Sequence, residues 1–231
     1  MSQPVLLALG TITIALFLTV AIASAAFSDE DTFRAMKVMV VGAAIAAAAV
    51  TIEDAHLRVN FTASMPLGIY QLKPVPPGGI ARGMTVAACP PFEAARLGRS
   101  RGYLAPGPCP GGSEPLLKLV AGVPGDRIDV LTAGVNVDGC RLPESAPVAA
   151  DNSGRRLRAW TPGGYRLAAG QVWLYAPNAR SWDSRYWGPA AAADVLAFAV
   201  PLLTASAAFR STSGEPGCGA ARSAGPASSP G

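Results

Sequence analysis

The first hydrophobic run of the chain restricts its fold more than any other feature. Val5 to Phe27 contains 23 residues without a charged side chain, enough to cross a hydrocarbon core of about 30 Å as a helix. Small residues from Ala21 to Ala26 resemble a signal-peptide cleavage site, but the run is too long for a signal peptide and lacks its basic start. We therefore expect residues 5–27 to span a membrane.

A second apolar run follows a short polar loop. Val38 to Ile52 contains 15 uncharged residues, and the run reaches about 17 when the two preceding residues are included, the short end of the spanning range. It predicts a second span over residues 36–52. The loop between the runs carries Arg34 and Lys37, and basic residues stay on the cytoplasmic side of a membrane. We expect residues 1–52 to be a two-span anchor, with the rest of the chain on the outer side.

Residues 53–204 are predicted to form one domain made mainly of β-strands. Their apolar runs are short, are separated by Gly and Pro, and do not extend helical periodicity over 11 residues. The step Asp138-Gly139 is a strong signal for a hairpin turn. The predicted strands are Gly68–Lys73, Met84–Cys89, Leu116–Ala121, Arg127–Leu131, Val135–Val137, Gln171–Tyr175 and Asp194–Phe198.

Two segments outside these strands lack a β pattern. Pro90 to Pro115 is rich in Pro and Gly and is predicted to be an irregular excursion between two strands. Cys89 and Cys109 bracket it, and a disulfide between them would close a 21-residue loop, although sequence alone leaves the pairing open. Residues 205–231 are rich in Gly, Ser, Pro and Ala and are expected to be a disordered tail.

Charge and metal-ligand content narrow the possible functions of residues 53–204. Fifteen Lys and Arg against 11 Asp and Glu give a modest, dispersed surplus of +4. The one tight cluster, Arg155, Arg156 and Arg158, has no interleaved aromatics and is interpreted as a solvated face or an approach to anionic lipid, so no nucleic-acid partner is predicted. With His56 as the single histidine and no Cys-x-x-Cys pair, we expect no metal and no cofactor.

A serine and a lysine are the candidate catalytic pair. Ser64 follows the second apolar run, and Lys118 lies 54 residues later within Leu-Leu-Lys-Leu-Val. A serine hydroxyl needs a base to become a good nucleophile, and a lysine is a base only when apolar surroundings keep it neutral. On a strand, both faces around Lys118 would be apolar. The alternative is a lysine at a strand end whose amine reaches water.

Four segments, in this order, resemble type I signal peptidases, most closely the conjugative-transfer peptidases of the TraF type. Together they extend from residue 60 to about residue 204. They are Asn60-x-Thr62-x-Ser64-x-Pro66-x-Gly68-x-Tyr70, Arg82 to Pro91, Cys109-Pro110-Gly111-Gly112 leading into Leu117-Lys118-x-Val120-Ala121-Gly122-x-Pro124-Gly125-Asp126, and Ser181 to Pro189. The sequence departs from the family pattern at Leu119, where Arg is common, and at Met84, where Asp is usual.

The resemblance implies a role for each matching residue. Ser64 would be the nucleophile and Lys118 the general base. The Thr62 hydroxyl and the Ser64 N–H would hold the oxyanion, although Thr62 could instead only satisfy local backbone. Ser181 would orient the lysine amine.

Asp183 and Arg185 would form a supporting ion pair, for which the alternative is a surface pair that contributes under about 1 kcal/mol. The resemblance also implies a fold of two antiparallel sheets. It implies a multi-pass protein of the bacterial inner membrane, with its catalytic domain in the periplasm. Its activity would be that of a membrane-bound serine endopeptidase that matures exported precursors. Its partners would be a conjugative pilin, which the enzyme could cyclise on release, and components of a secretion system. The alternatives are a general signal peptidase and an inactive peptide-binding assembly factor.

Overall fold

Two antiparallel β-sheets make up most of the described chain. The computed structural model describes residues 34, 37–43, 56–160 and 163–205. The strands are β1 (Leu57–Asn60), β2 (Gly68–Lys73), β3 (Thr85–Ala88), β4 (Leu116–Gly122), β5 (Arg127–Leu131), β6 (Gly134–Val137), β7 (Cys140–Arg141), β8 (Gly164–Arg166), β9 (Gln171–Tyr175), β10 (Ala190–Ala191) and β11 (Val195–Thr204). Seven form one sheet in the order β1-β2-β11-β3-β4-β9-β10, and four form the other in the order β7-β6-β5-β8. The predicted mainly β domain of two antiparallel sheets is confirmed.

The short sequence runs locate the strands well. Each of the seven predicted strands is present, and β2, β5 and β9 have the predicted bounds. The predicted hairpin turn joins β6 to β7, with Asp138 at φ 49° and Gly139 at φ 82°, the left-handed backbone that such two-residue turns require. Strand β11 is longer than predicted, since it continues through Pro201 to Thr204. Its register with β2 shifts between Pro201 and Leu203, next to a residue that has no N–H to donate.

The segment from Pro90 to Pro115 contains a helix, so the prediction that it is an irregular excursion is wrong. Helix α1 (Phe92–Ser100) has nine residues, with Glu93 in its first turn and Arg99 in its last, which suits the helix dipole. Its buried face consists of Ala94, Ala95 and Gly98. Its nine residues fall short of the 11 over which helical periodicity was required, so the sequence pattern did not reveal it. A disulfide joins Cys89 to Cys109, with Cα atoms 5.5 Å apart, and ties the excursion to the end of β3.

The interior of the domain places the lysine of β4 among apolar neighbours. Strand β4 lies between β3 and β9 in the larger sheet. Val86 lies opposite Lys118 in the β3–β4 pairing, and Leu174 lies opposite Val120 in the β4–β9 pairing. Val86, Val120 and Leu174 belong to one buried cluster, whereas Leu117 packs in another with Tyr70 and Ala87 on the opposite side of the strand. The sheet therefore encloses Lys118 from both neighbouring strands.

The predicted membrane segments lie mostly outside the described residues. This is true of the whole of 5–27, and of the second span only residues 37–43 are described, as helix with mostly exposed side chains. Within the described ranges, no helix is both long and apolar enough to cross a membrane. The two spans and the tail beyond residue 205 remain predictions.

Candidate active site

The serine of the first motif lies on a loop that one buried asparagine organises. The loop joins β1 to β2, and Asn60, at the end of β1, is only 6% exposed. Its Nδ2 donates to the carbonyl oxygens of Thr62, Met65 and Pro66, each at 3.0 Å. Its Oδ1 accepts from the Thr62 N–H at 3.2 Å and from the Thr62 hydroxyl at 2.8 Å. These five hydrogen bonds fix the backbone that carries Ser64.

The two hydroxyls of this loop are in contact. Thr62 Oγ1 and Ser64 Oγ are 3.2 Å apart. Because the single hydroxyl proton of Thr62 is donated to Asn60, the proton shared between the two hydroxyls is that of Ser64. Thr62 therefore lies where it can contact a group bound at Ser64, and its proton would have to turn away from Asn60 to stabilise an oxyanion.

Lys118 is a buried base candidate. Its side chain is 2% exposed, and Nζ donates to Ser181 Oγ at 3.0 Å. Burial lowers the pKa of Lys118 from its ordinary value of 10.5 to about 8; Asp183 opposes this by raising the pKa, and Arg185 adds to it by lowering the pKa. A substantial fraction of the amine is therefore neutral in mildly alkaline solution, which is the form that can accept a proton.

Asp183 and Arg185 form a fully buried ion pair, with each side chain 1% exposed. Arg185 Nε and Nη2 donate to the two carboxylate oxygens at 2.8 and 2.9 Å. The carboxylate also accepts from the Ala176 N–H, and the guanidinium donates to the carbonyl oxygens of Ala176 and Glu144. Asp183 also caps the short helix α2 (Ser184–Trp187). The alternative of an exposed surface pair is wrong, because both side chains are buried and backbone groups of Ala176 and Glu144 supply further partners for their charges.

A groove of about 820 Å³ brings the predicted site residues together. Ser64, Thr62, Lys118 and Ser181 line it, whereas Asp183 and Arg185 lie behind its wall. Among the described residues, no hydrogen bond joins Lys118 Nζ to Ser64 Oγ; Nζ contacts Ser181 and the Ser64 hydroxyl contacts Thr62. Such bonds are often long in unliganded enzymes and tighten when substrate binds. The arrangement can support attack by a serine assisted by a lysine.

Two asparagines of the site were not assigned roles from the sequence. Asn60 was part of the first motif without a stated function, and Asn178 was not singled out. An Asn at the end of a strand, followed by a small polar residue two positions later, is a signal for a side-chain turn and could have indicated Asn60. No local signal indicates Asn178, whose partner lies 115 residues away. In the described ranges, no three His, Cys, Asp or Glu side chains are grouped so as to hold a metal ion.

The sequence is similar to a protein-family model and to several named proteins. The family model "Signal peptidase, peptidase S26" matches residues 4–203. A Sinorhizobium fredii protein named "Probable conjugal transfer protein TraF" is 41% identical over 149 residues, which are 64% of this chain and 77% of that protein. The "Plasmid transfer protein TraF" of Escherichia coli is 36% identical over 65% of this chain and 84% of its own length.

A solved signal peptidase I from Enterococcus faecalis V583 covers 52% of this chain and 96% of its own, at 16% identity and a TM-score of 0.30, which is too low to compare the folds in detail. The family match extends over most of the chain and includes both the serine loop and the strand of the buried lysine. The chain belongs to the signal peptidase S26 family and is a TraF-type member of it.

Proposed function

We propose that this protein is a membrane-anchored serine endopeptidase with Ser64 as nucleophile and Lys118 as general base. One observation carries the proposal: a lysine 2% exposed, with its pKa lowered to about 8, lines the same groove as the serine. Burying a charged amine costs free energy, so burial favours the neutral form of Lys118. A neutral amine in the groove of a serine can act as the base that the hydroxyl needs to become a good nucleophile.

The chemistry follows from the contacts in the groove. Ser64 Oγ attacks the carbonyl carbon of the scissile peptide bond, and Lys118 Nζ accepts the hydroxyl proton. The Ser64 N–H and the Thr62 hydroxyl donate to the oxyanion that forms. Lys118 then returns the proton to the leaving amine, and a water molecule attacks the acyl-enzyme with the same lysine as base. Ser181, at 3.0 Å from Nζ, holds the amine in place during both steps.

The groove suits an extended peptide. Strand β1 is the first strand of the larger sheet, and in the described part of the chain it pairs only with β2. Arg58, Val59 and Asn60 of this strand line the groove, so its outer edge can accept hydrogen bonds from a substrate added as a further strand. This mode of binding holds the substrate backbone beside Ser64.

Exposed apolar side chains near the serine fit a site that works at a membrane surface. Phe61 is 84% exposed and Leu203 69% exposed, and Leu203 lies opposite Ile69 on the strand that leaves the serine loop. Val38 and Met39, in the described part of the second predicted span, are each 72% exposed. We infer an anchor in the bacterial inner membrane, with the catalytic domain on the periplasmic side.

The names of the relatives suggest the substrate. Because these proteins are named for conjugal or plasmid transfer, we propose an exported precursor of a conjugative transfer system, in the first instance a pilin. The same chemistry would serve a general signal peptidase. If the amino terminus of the pilin replaces water in attacking the acyl-enzyme, the product is cyclic.

The test is the intact mass of a candidate pilin precursor co-expressed with the protein, beside Ser64→Ala and Lys118→Ala variants. A shortened product that requires both residues is expected, and a further loss of one water would indicate cyclisation. An unprocessed pilin together with cleavage of ordinary secretory precursors would support the general signal peptidase. Cleavage of neither would contradict the peptidase and favour a peptide-binding factor.

A further inference from the structure

The Asn178 side chain joins the loop of Ser181 to the loop of Ser64. Its Nδ2 donates to the carbonyl oxygen of Ala63 at 3.0 Å. Its Oδ1 accepts from the Arg180 N–H at 2.8 Å, and its carbonyl oxygen accepts from the Ser181 N–H at 3.0 Å. The asparagine is therefore held by its own turn while it contacts the loop of the nucleophile.

The bond to Ala63 acts on the peptide group that contains the Ser64 N–H. The Ala63 carbonyl and the Ser64 N–H belong to one planar trans peptide, so they point in opposite directions and rotate together. A donor that fixes the carbonyl oxygen therefore fixes the direction of the N–H. It also polarises the peptide and makes the N–H a stronger donor.

The Ser64 N–H is available for a ligand. Within the part of the chain that the structure describes, it donates no hydrogen bond to the backbone, and Ala63, Ser64 and Asn178 all line the groove. The proposed mechanism needs such a donor for the oxyanion. The direction in which the Ser64 N–H points is consequently set from outside its own loop.

We propose that Asn178 is a positioning residue that aims the Ser64 N–H at the oxyanion. The turn from Asn178 to Ser181 then serves both halves of the site, because Ser181 holds the lysine amine and Asn178 orients the oxyanion donor. This inference rests on the proposed peptidase function and adds to it a residue that acts through the Ala63–Ser64 peptide.

The experiment compares Asn178→Asp and Asn178→Ala with the matched variants Asn152→Asp and Asn152→Ala. Asn152 lines the same groove, and its Oδ1 accepts a hydrogen bond from Arg180. Either Asp variant adds one negative charge to the groove at nearly constant shape and keeps its oxygen acceptor, but only Asn178→Asp removes the donor to Ala63. Steady-state cleavage is measured for the full-length variants in detergent, on a peptide spanning the junction cut in the co-expression experiment, from pH 6 to pH 10.

Both Asn178 variants are expected to lose about ten- to a hundredfold in kcat on the high-pH plateau, less than the ~10²–10³ for complete loss of an oxyanion donor. Their KM should stay within about twofold, because the donor acts mainly on the transition state. Affinity for a peptide aldehyde, which forms a tetrahedral adduct with the serine, should fall in parallel with kcat. The Asn152 variants change the same groove without touching the Ala63–Ser64 peptide, so their plateau kcat should stay several-fold above that of the matching Asn178 variants.

Three results would overturn the inference. One is a plateau kcat for Asn178→Ala equal to that of Asn152→Ala, and another is a loss that appears only in KM. The third is a kcat loss confined to Asn178→Asp, since this would be an effect of charge on Lys118. Thermal unfolding of each variant identifies a loss of fold. If the parent shows no cleavage that depends on Ser64, the proposed function is wrong and this inference is wrong with it. If cleavage depends on Ser64 but the Asn178 variants cleave as well as the parent, only this inference is wrong.

Discussion

Replacing Lys118 with methionine should abolish activity and stabilise the fold at neutral pH. The side chain is 2% exposed, and burial lowers the pKa of Lys118 from 10.5 to about 8. The folded protein therefore resists protonation of the amine, which the unfolded chain accepts readily. Methionine has a similar length, no charge and no such penalty.

The magnitude follows from the two pKa values. One pKa unit corresponds to 1.36 kcal/mol, so the change from 10.5 to about 8 destabilises the folded lysine protein by about 3 kcal/mol at pH 7. The sign is set by the depressed pKa: between pH 8 and 10.5 the unfolded chain binds more protons than the folded one, so stability rises with pH. At pH 10 about 1 kcal/mol of the penalty remains.

The assay is urea unfolding of full-length Lys118→Met and parent protein in detergent, from pH 7 to pH 10, followed by tryptophan fluorescence. All four tryptophans lie between residues 160 and 187, so the signal reports the β domain. Constant contributions, including the lost bond to Ser181, cancel when the variant–parent difference is compared across pH. The stability advantage of the variant should shrink by about 2 kcal/mol over this range, and a difference independent of pH would refute the lowered pKa.

Four further predictions follow. Cleavage by the parent should rise about tenfold per pH unit below the Lys118 pKa of about 8 and level off above it; a kcat/KM unchanged from pH 5 to pH 9 would exclude the lysine as base. Ser181→Ala should lower the plateau kcat about ten- to a hundredfold, because the Lys118 amine loses its orienting partner. The loss in kcat is measured with a stopped cleavage assay, and an unfolding curve of the variant shows whether it is folded. Asn60→Ala should cost about 3 kcal/mol of unfolding free energy in urea, because three carbonyls of the serine loop lose their shared donor; a loss under about 0.5 kcal/mol would contradict its organising role. Replacing Cys89 and Cys109 together by Ala should lower stability in urea by about 3 kcal/mol through the released loop, and a loss under about 0.5 kcal/mol would contradict that constraint.

The strands could be predicted because their signals are local. Runs such as Gln171–Tyr175 contain β-branched and aromatic residues between turn residues, and the strand occupies that run. Helix α1 could not be predicted in the same way, since it buries Ala94, Ala95 and Gly98 against the rest of the domain. The close contact at Gly98, where a Cβ would lie 2.7 Å from the Leu104 side chain, depends on a partner outside the helix. Tertiary packing, and not a local sequence pattern, therefore determines helix α1.

The candidate site shows the same division between local and distant causes. The apolar neighbours of Lys118 are adjacent in sequence, so the sequence alone favours a buried amine over the alternative of an amine that reaches water, and the structure buries it. By contrast, the spacing of Asp183 and Arg185 also suits a surface pair, and only the approach of Ala176 shows that both charges are enclosed. Asn178 reaches Ala63 across 115 residues. No sequence pattern within either loop indicates that contact.

The buried ion pair explains how Lys118 can lie beside a carboxylate and still be able to lose its proton. Asp183 alone would raise the pKa of Lys118 and hold the amine in its charged form. Arg185 lowers that pKa, and it binds both carboxylate oxygens of Asp183. Because the two influences on Lys118 oppose each other, desolvation remains the dominant one. The pair can therefore anchor the loop of Ser181 without raising the pKa of Lys118 enough to keep the amine protonated. This is a physical reason for an arginine two residues after the aspartate.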